Sequence, residues 1–347
     1  MKNVLATLLA VTVCATAVGQ SQKDSEPEVC HTILDLRVQA RVDYERTWTE
    51  GAVVDDHTGF KGKYLFLRAD GTILPGLDYS LRQRLNKKIT SSGAFDATDW
   101  VYLQWTTGRW TLAGGKEVIY IGGFEYDRAP MDLYGVSLFW MNIPCFGFGV
   151  SGGYNITKND VLTAQITQSP FYHEAGNNSY AYNLLWTGTH GLWSTRWSAN
   201  MCEYAAGKYI SYLALGNRFT AGPWQLELDL MNRAAAHQAF LFKDVSLMSE
   251  LAFCPTDRWR MHLKYTYDNN HSGNDADLTV YDGTELSMLG GGVEFYPLRK
   301  CKYALRLHAN YYYSWGRNTN TADIMQRNTS YAAVGLTWDM SLLNLKK

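Results

Sequence analysis

An all-β fold is predicted, a transmembrane antiparallel β-barrel of about sixteen strands with one loop folded inward. Three features of the 347-residue chain point to it: segments that alternate apolar and polar residues, an N-terminal stretch built for export, and connections that sort into short and long. The alternation is clearest from Trp259 to Tyr267, where Arg260, His262 and Lys264 share one face and Trp259, Met261, Leu263 and Tyr265 the other. Successive side chains of a strand point to opposite faces, so this is an extended segment with one greasy and one charged side. The rhythm returns from Tyr303 to Tyr313. A soluble sandwich alternates too, with its apolar face inward, so the context decides.

The start of the chain supplies that context. Lys2 precedes an apolar run from Val4 to Val18, then small residues and the polar stretch Gln20 to Glu28, the layout of a secretory signal peptide. Cleavage is expected after Gly19, which makes 1–19 the leader, 20–31 a short polar segment and 32–347 the barrel. The apolar run is too short to span a bilayer comfortably as a helix. Val13 stands where a lipoprotein signal needs a small residue before Cys14. No other segment reads as a membrane helix, and the mean hydropathy is -0.26.

Composition agrees. Aromatic residues make up 14% of the chain, with 23 Tyr and 12 Trp, and there are 30 Gly. Tyr and Trp suit the girdles of a barrel at the two membrane interfaces, while glycine suits turns. The net charge of -1 argues against a nucleic-acid partner. With Cys14 in the leader, Cys30, Cys145, Cys202, Cys254 and Cys301 remain, an odd and widely spaced set without metal-ligand spacing. One or two disulfides are compatible with an oxidising compartment.

Taken in order, the first strand, Thr32 to Glu45, puts Leu34, Leu36, Val38, Ala40, Val42 and Tyr44 on one face and Asp35, Arg37, Gln39, Arg41 and Asp43 on the other. Further strands are expected to start near Lys63, Gly76, Thr98, Arg109, Cys145, Asp160, Ser179, Leu192, Lys208, Pro223, Val245, Arg258, Glu285, Cys301 and Thr329. In the last, Ala332, Val334, Leu336, Trp338 and Met340 are expected to face outward. Connections after even-numbered strands are short and rich in turn formers, such as Leu74-Pro75-Gly76, Thr107-Gly108 and Ala221-Gly222-Pro223. Most of those after odd-numbered strands are longer and polar, such as Trp48 to Lys61, Pro170 to Asn178, Asp268 to Gly283 and Gly316 to Asn328. Short turns at one rim and long loops at the other are what a membrane barrel requires, and a sandwich has no reason to sort them.

The connection from the fifth to the sixth strand, about 118–144, is the longest. A loop of this length is usually functional or disordered. Its Phe124, Tyr126, Leu133, Tyr134, Phe139 and Trp140 argue for packing, and Met131 to Asn142 suits a short helix. In a wide barrel such a loop packs in the lumen, as a constriction carrying Glu125, Tyr126, Asp127 and Arg128; an external lid is the alternative.

Between Lys63 and Arg233 the chain resembles the phosphate-selective porin O and P family. The pieces are Asp70-Gly71, Tyr79 to Asn86, Asp96 to Trp105, Gly122 to Pro130, Gln168-Ser169-Pro170, Leu215-Gly216-Asn217 and Asp229 to Arg233. Each is weak alone, and the ordered set is fairly specific. The resemblance implies a sixteen-stranded barrel in the Gram-negative outer membrane, commonly a homotrimer, with its third external loop folded inward and a preference for anions or phosphate. The chain ends Leu345-Lys346-Lys347, where many such barrels carry an aromatic residue.

A barrel this wide encloses water. Strand parity places Arg37, Arg41, Arg82, Arg84, Arg196, Arg260, Lys264 and Arg306 on the lumen, with Asp35, Asp43, Asp78, Glu227, Asp229 and Asp339. Such charges set up a field that concentrates counter-ions and orients dipolar solutes, or else they pair across strands and stabilise the wall. Guanidinium groups match phosphate oxygens, but acidic and basic lining residues nearly balance, so phosphate selectivity is not carried over from the resemblance. Catalysis is not expected. His271 and Ser272 are adjacent and would face opposite ways in a wall, the eight histidines lack metal-ligand spacing, and Gly290-Gly291-Gly292 sits within a strand where it permits close packing. No metal and no cofactor are expected. The partners are outer-membrane lipid and small hydrophilic solutes or ions, and the function is a passive diffusion channel. The alternative is a plugged barrel with a structural or surface-binding role.

Overall fold

The computed structural model describes residues 32–87, 94–176, 178–236, 238–298, 304–320 and 325–346. The expected leader, Cys30, Cys301 and the predicted strand start at Cys301 lie outside these residues. The wall consists of β1 (Thr32–Thr49), β2 (Ala52–Val53), β3 (Gly59–Leu74), β4 (Leu77–Arg84), β5 (Thr98–Thr107), β6 (Trp110–Val118), β7 (Phe146–Asn155), β8 (Asp160–Gln168) and β9 (Tyr180–His190). It continues with β10 (Trp193–Ala205), β11 (Lys208–Ala221), β12 (Trp224–Ala235), β13 (Asp244–Thr256), β14 (Trp259–Asn270), β15 (Thr284–Phe295), β16 (Leu305–Arg317) and β17 (Thr329–Lys346). Setting aside the two-residue β2, which pairs with the end of β1, sixteen of the seventeen strands form the ring. Each pairs antiparallel with its neighbours, and β1 pairs with both β3 and β17. Among the described residues, closure leaves no edge strand with unpaired N–H and C=O groups, a requirement inside a bilayer.

The burial pattern is inverted relative to a soluble domain. Along β14, Trp259, Met261 and Leu263 are exposed while His262, Lys264 and Thr266 are buried. In β1, Asp35, Arg41, Asp43, Glu45 and Thr47 are buried and Tyr44 is exposed. The apolar face of each strand therefore looks outward, where lipid removes it from water, and the polar face looks into the ring. The short-turn rim carries an aromatic band. Trp110, Trp193, Trp224 and Trp259 open β6, β10, β12 and β14. Between neighbouring strands, Trp110 meets Tyr154 at 4.7 Å, Trp224 meets Phe253 at 4.4 Å and Trp259 meets Phe295 at 4.6 Å between ring centroids. Such cross-strand pairs support the sheet and suit a membrane–water interface.

Several boundaries differ from the sequence expectation. β1 runs on to Thr49 and β3 begins at Gly59, ahead of Lys63, because Tyr44 and Phe60 pack edge to face at 5.1 Å and prolong the hairpin. On the long-loop rim, β10 and β11 are joined by only Ala206-Gly207. The expected helix from Met131 to Asn142 is confined to Leu138–Asn142, preceded by a 3-10 turn at Pro130–Asp132 and a helical turn at Phe124–Asp127. Gly135, at φ 52°, interrupts any longer helix. Cys145, Cys202 and Cys254 are free thiols. Burial pushes the Cys145 thiol up to about 12, which keeps it protonated and unreactive.

Candidate functional site

Residues 119–145 join β6 to β7, and their side chains and backbone contact strands on many sides of the ring. At its start the segment lies on β8 and β10. Gln165 accepts from the Tyr120 N–H (2.8 Å) and Asn200 donates to the Tyr120 carbonyl (2.8 Å). Ser198 Oγ accepts from the Gly122 N–H (2.7 Å), and the Arg196 carbonyl accepts from the Gly123 N–H (3.0 Å). This approach of backbone to wall needs bare α-carbons on both sides. A Cβ on Gly216 of β11 would come within 2.7 Å of the Gly123 Cα.

The middle of the segment is anchored by charge. Arg128 donates to both Glu250 oxygens (2.9 Å each) and also pairs with Glu227. Burial opposes its charge, but Glu250 and Glu227 outweigh burial and hold its pKa above the ordinary guanidinium value. The same two carboxylates pair with wall cations: Arg260 with Glu250, and Arg218 with Glu227 at 2.7 Å. Glu125 lies 2.6 Å from the Lys264 ammonium, and Asp127 pairs with Arg196 at 2.8 Å. Arg306 holds Asp132 at 2.8 Å and donates to the Met131 carbonyl. Arg41 pairs with Asp43 at 2.7 Å and donates to the Leu133 carbonyl at 2.8 Å.

Two wall carboxylates, the partly buried Asp229 and the buried Asp268, satisfy backbone donors of the segment. Asp229 accepts from the Glu125 N–H, and Asp268 accepts from the Leu138 N–H at the start of the short helix, whose Ser137 hydroxyl caps Trp140. Apolar packing completes the attachment, with Phe139 edge-on to Tyr212 at 5.4 Å and Tyr134 stacked on His262 at 5.7 Å. The Tyr312 ring sits where a Cβ on either Gly135 or Gly290 would collide with it. The glycine run in β15 thus allows a close approach of the kind its sequence suggested.

The predicted lining residues separate into two groups. Arg41, Arg196, Arg260, Lys264 and Arg306 all meet the segment or the carboxylates that hold it. The others are engaged elsewhere on the wall. Arg37 pairs with Asp35 at 2.6 Å, Arg82 pairs with Asp99 at 2.8 Å and lies 3.8 Å over the Trp100 ring, and Arg84 rests beside Asn86 and over Tyr64. Glu125, Tyr126 and Arg128 are largely buried, while Asp127 stays exposed at its outer edge. Sequence reasoning missed Glu250, Asp268, Ser198 and Asn200. Parity alone would have found Glu250, because its β13 neighbours Leu247 and Leu251 are exposed.

Between the segment and the faces of β1, β3, β16 and β17 a cleft of about 250 Å³ remains, bounded by Tyr64, Tyr134, Trp140, Tyr312, Tyr331 and Arg41.

Residues 34–192 match the phosphate-selective porin O and P family. Solved structures share the fold along nearly their whole length. An anion-selective porin from Comamonas acidovorans aligns with a TM-score of 0.65 at 10% identity, covering 89% of this chain and 100% of that one. The trimer form of in-vitro folded OmpT from Vibrio cholerae aligns at 0.59 and 12%, covering 89% and 100%. The outer membrane channel DcaP of Acinetobacter baumannii aligns at 0.59 and 10%, covering 92% and 100%. No curated protein matches.

Proposed function

With 34–192 matching the phosphate-selective porins O and P, we propose that this chain is a porin of the Gram-negative outer membrane, through which small hydrophilic solutes and ions diffuse passively. The supporting observation is the inverted closed barrel, with an apolar exterior and a polar, charged interior around space that the protein does not fill. Export by a cleaved 1–19 leader and assembly as a homotrimer, the latter by analogy with the trimeric Vibrio OmpT, belong to the same reading.

Segment 119–145 acts as an inward-folded constriction. Its ion pairs reach β10, β12, β13, β14 and β16, its Leu133 carbonyl accepts from Arg41 of β1, and a segment touching strands this far apart around a closed ring narrows the lumen. The pore is weakly selective. A phosphate ladder needs guanidinium groups with free donors, whereas Arg37, Arg41, Arg82, Arg128, Arg196, Arg218, Arg260 and Arg306 each lie within 4 Å of a carboxylate. Pairing cancels most of the far field that would favour one ion sign.

Recording the folded protein in planar bilayers tests this. A steady single-channel conductance with a reversal potential near zero across a KCl gradient is expected. A folded protein without conductance would instead indicate the plugged barrel, and a strongly anion-selective one would refute the weak selectivity.

A further inference from the structure

The cleft between segment 119–145 and the wall differs from the rest of the lumen in chemistry. Much of the inner surface carries paired charges; here Tyr64, Tyr134, Trp140, Tyr312 and Tyr331 supply aromatic surface. The two cations at its edge are occupied, Arg41 by Asp43 at 2.7 Å and Lys63 by Glu45 at 2.6 Å. An anion entering the cleft would have to displace a carboxylate, so charge does not recommend one.

The polar groups available are neutral. Tyr134, only 6% exposed, has a hydroxyl with no hydrogen-bond partner, and so has the Trp140 indole N–H. A donor left unmet in a buried place costs free energy, and an occupant with hydroxyl oxygens would offset that cost. Aromatic faces in turn bind flat, weakly polar C–H surfaces. A solute with an apolar ring face and a hydroxylated edge meets both demands. The volume of about 250 Å³ lies just below the roughly 300–1,000 Å³ typical of drug-sized ligand pockets, which suits a single ring.

From this juxtaposition we propose that the cleft is a solute-binding subsite for neutral, ring-shaped polyhydroxylated solutes, a monosaccharide being the simplest. The proposal rests on the porin reading and adds a binding step to passive diffusion. Trp140 on the segment and Tyr64 on β3 both line the cleft with aromatic surface, and the unpaired Tyr134 hydroxyl and Trp140 indole N–H are the donors an occupant would meet. Binding is weak and reversible, as passage requires.

The test is ion current through the folded protein in planar bilayers, first in KCl alone and then with D-glucose, with sorbitol as the open-chain control, or with inorganic phosphate added. Absence of current in KCl alone would defeat the porin reading itself, independently of the subsite. Given current, the expected result is a saturable reduction by glucose, little reduction by sorbitol at equal concentration, and at least a tenfold weaker glucose effect in both Trp140→Ala and Tyr64→Leu. The KCl conductance of each variant shows that it has folded, and two variants, one on the segment and one on the wall, guard against one failing. Equal effects of glucose and sorbitol, an unchanged glucose effect in both variants, or saturable block by phosphate alone would overturn the proposal.

Discussion

Two stretches of the inner wall carry the same alternating charges and hold them differently. On β12 to β14, Glu227 and Glu250 have side chains 0% and 3% exposed, and both pair with Arg128 of segment 119–145. At the short-turn end of β1 and β3, Arg37 and Arg68 are 42% and 38% exposed, and each pairs with the acid two residues along its own strand, Asp35 and Asp70, at 2.6 Å. The local pattern of the two stretches is alike. The difference comes from a distant part of the chain that covers one and leaves the other to water. In the covered stretch a pair is buried, so losing one partner strands a charge; in the open stretch solvent screens the loss.

The largest expected effect follows from breaking the covered stretch. Arg128→Ala leaves Glu227 and Glu250 with fewer counter-charges, and loss of a partner from a buried pair costs about 3–5 kcal/mol. Chemical denaturation should show that loss, and limited proteolysis should cut within 119–145. A variant as stable and as protease-resistant as the parent would mean that the segment is held by its apolar contacts alone.

The comparison also requires the inner faces to be inner. Leu263, 56% exposed on the opposite face of β14 from Lys264, should face lipid. Leu263→Lys is expected to cost about 2–4 kcal/mol if the site is near the midplane, measured by reversible unfolding in lipid. A neutral outcome would place that face in water.

A smaller effect separates pairing from mere proximity. Lys264→Met and Glu125→Gln should each destabilise, while the double variant should lose less than their sum, with a coupling of roughly 0.5–3 kcal/mol. Strict additivity would show that the 2.6 Å contact contributes no pair energy.

The smallest effect on stability belongs to the open stretch. Arg37→Ala should change stability by no more than about 1 kcal/mol. It removes a half-exposed cation from the lumen, so the reversal potential in a KCl gradient should move slightly toward cation preference. Destabilisation as large as that of Arg128→Ala would abolish the distinction between the two stretches.

Much of the fold was legible because a barrel wall is a local, period-two pattern. Trp259 to Tyr267 shows its two faces without help from any other part of the chain, and Thr107-Gly108 and Ala221-Gly222-Pro223 mark their turns by residue type. The strand starts expected at Arg109, Cys145 and Arg258 each fall one residue before those of β6, β7 and β14. Segment 119–145 was recognisable as long and aromatic, but its attachment was not legible. Arg128 meets Glu227 and Glu250 across separations of 99 and 122 residues, which no local period reveals. The fit of Gly123 against Gly216 likewise depends on two backbones meeting. Parity placed Arg260 and Lys264 on the inner face, yet could not say that they would be engaged with Glu250 and Glu125.

The central claim is that a conducting lumen is narrowed by a segment fastened through Arg128. Single-channel recording of the parent and Arg128→Ala side by side tests it most directly. A steady conductance in the parent and a larger, fluctuating one in the variant are predicted. Identical traces from the two proteins, or a folded parent that passes no current, would contradict it.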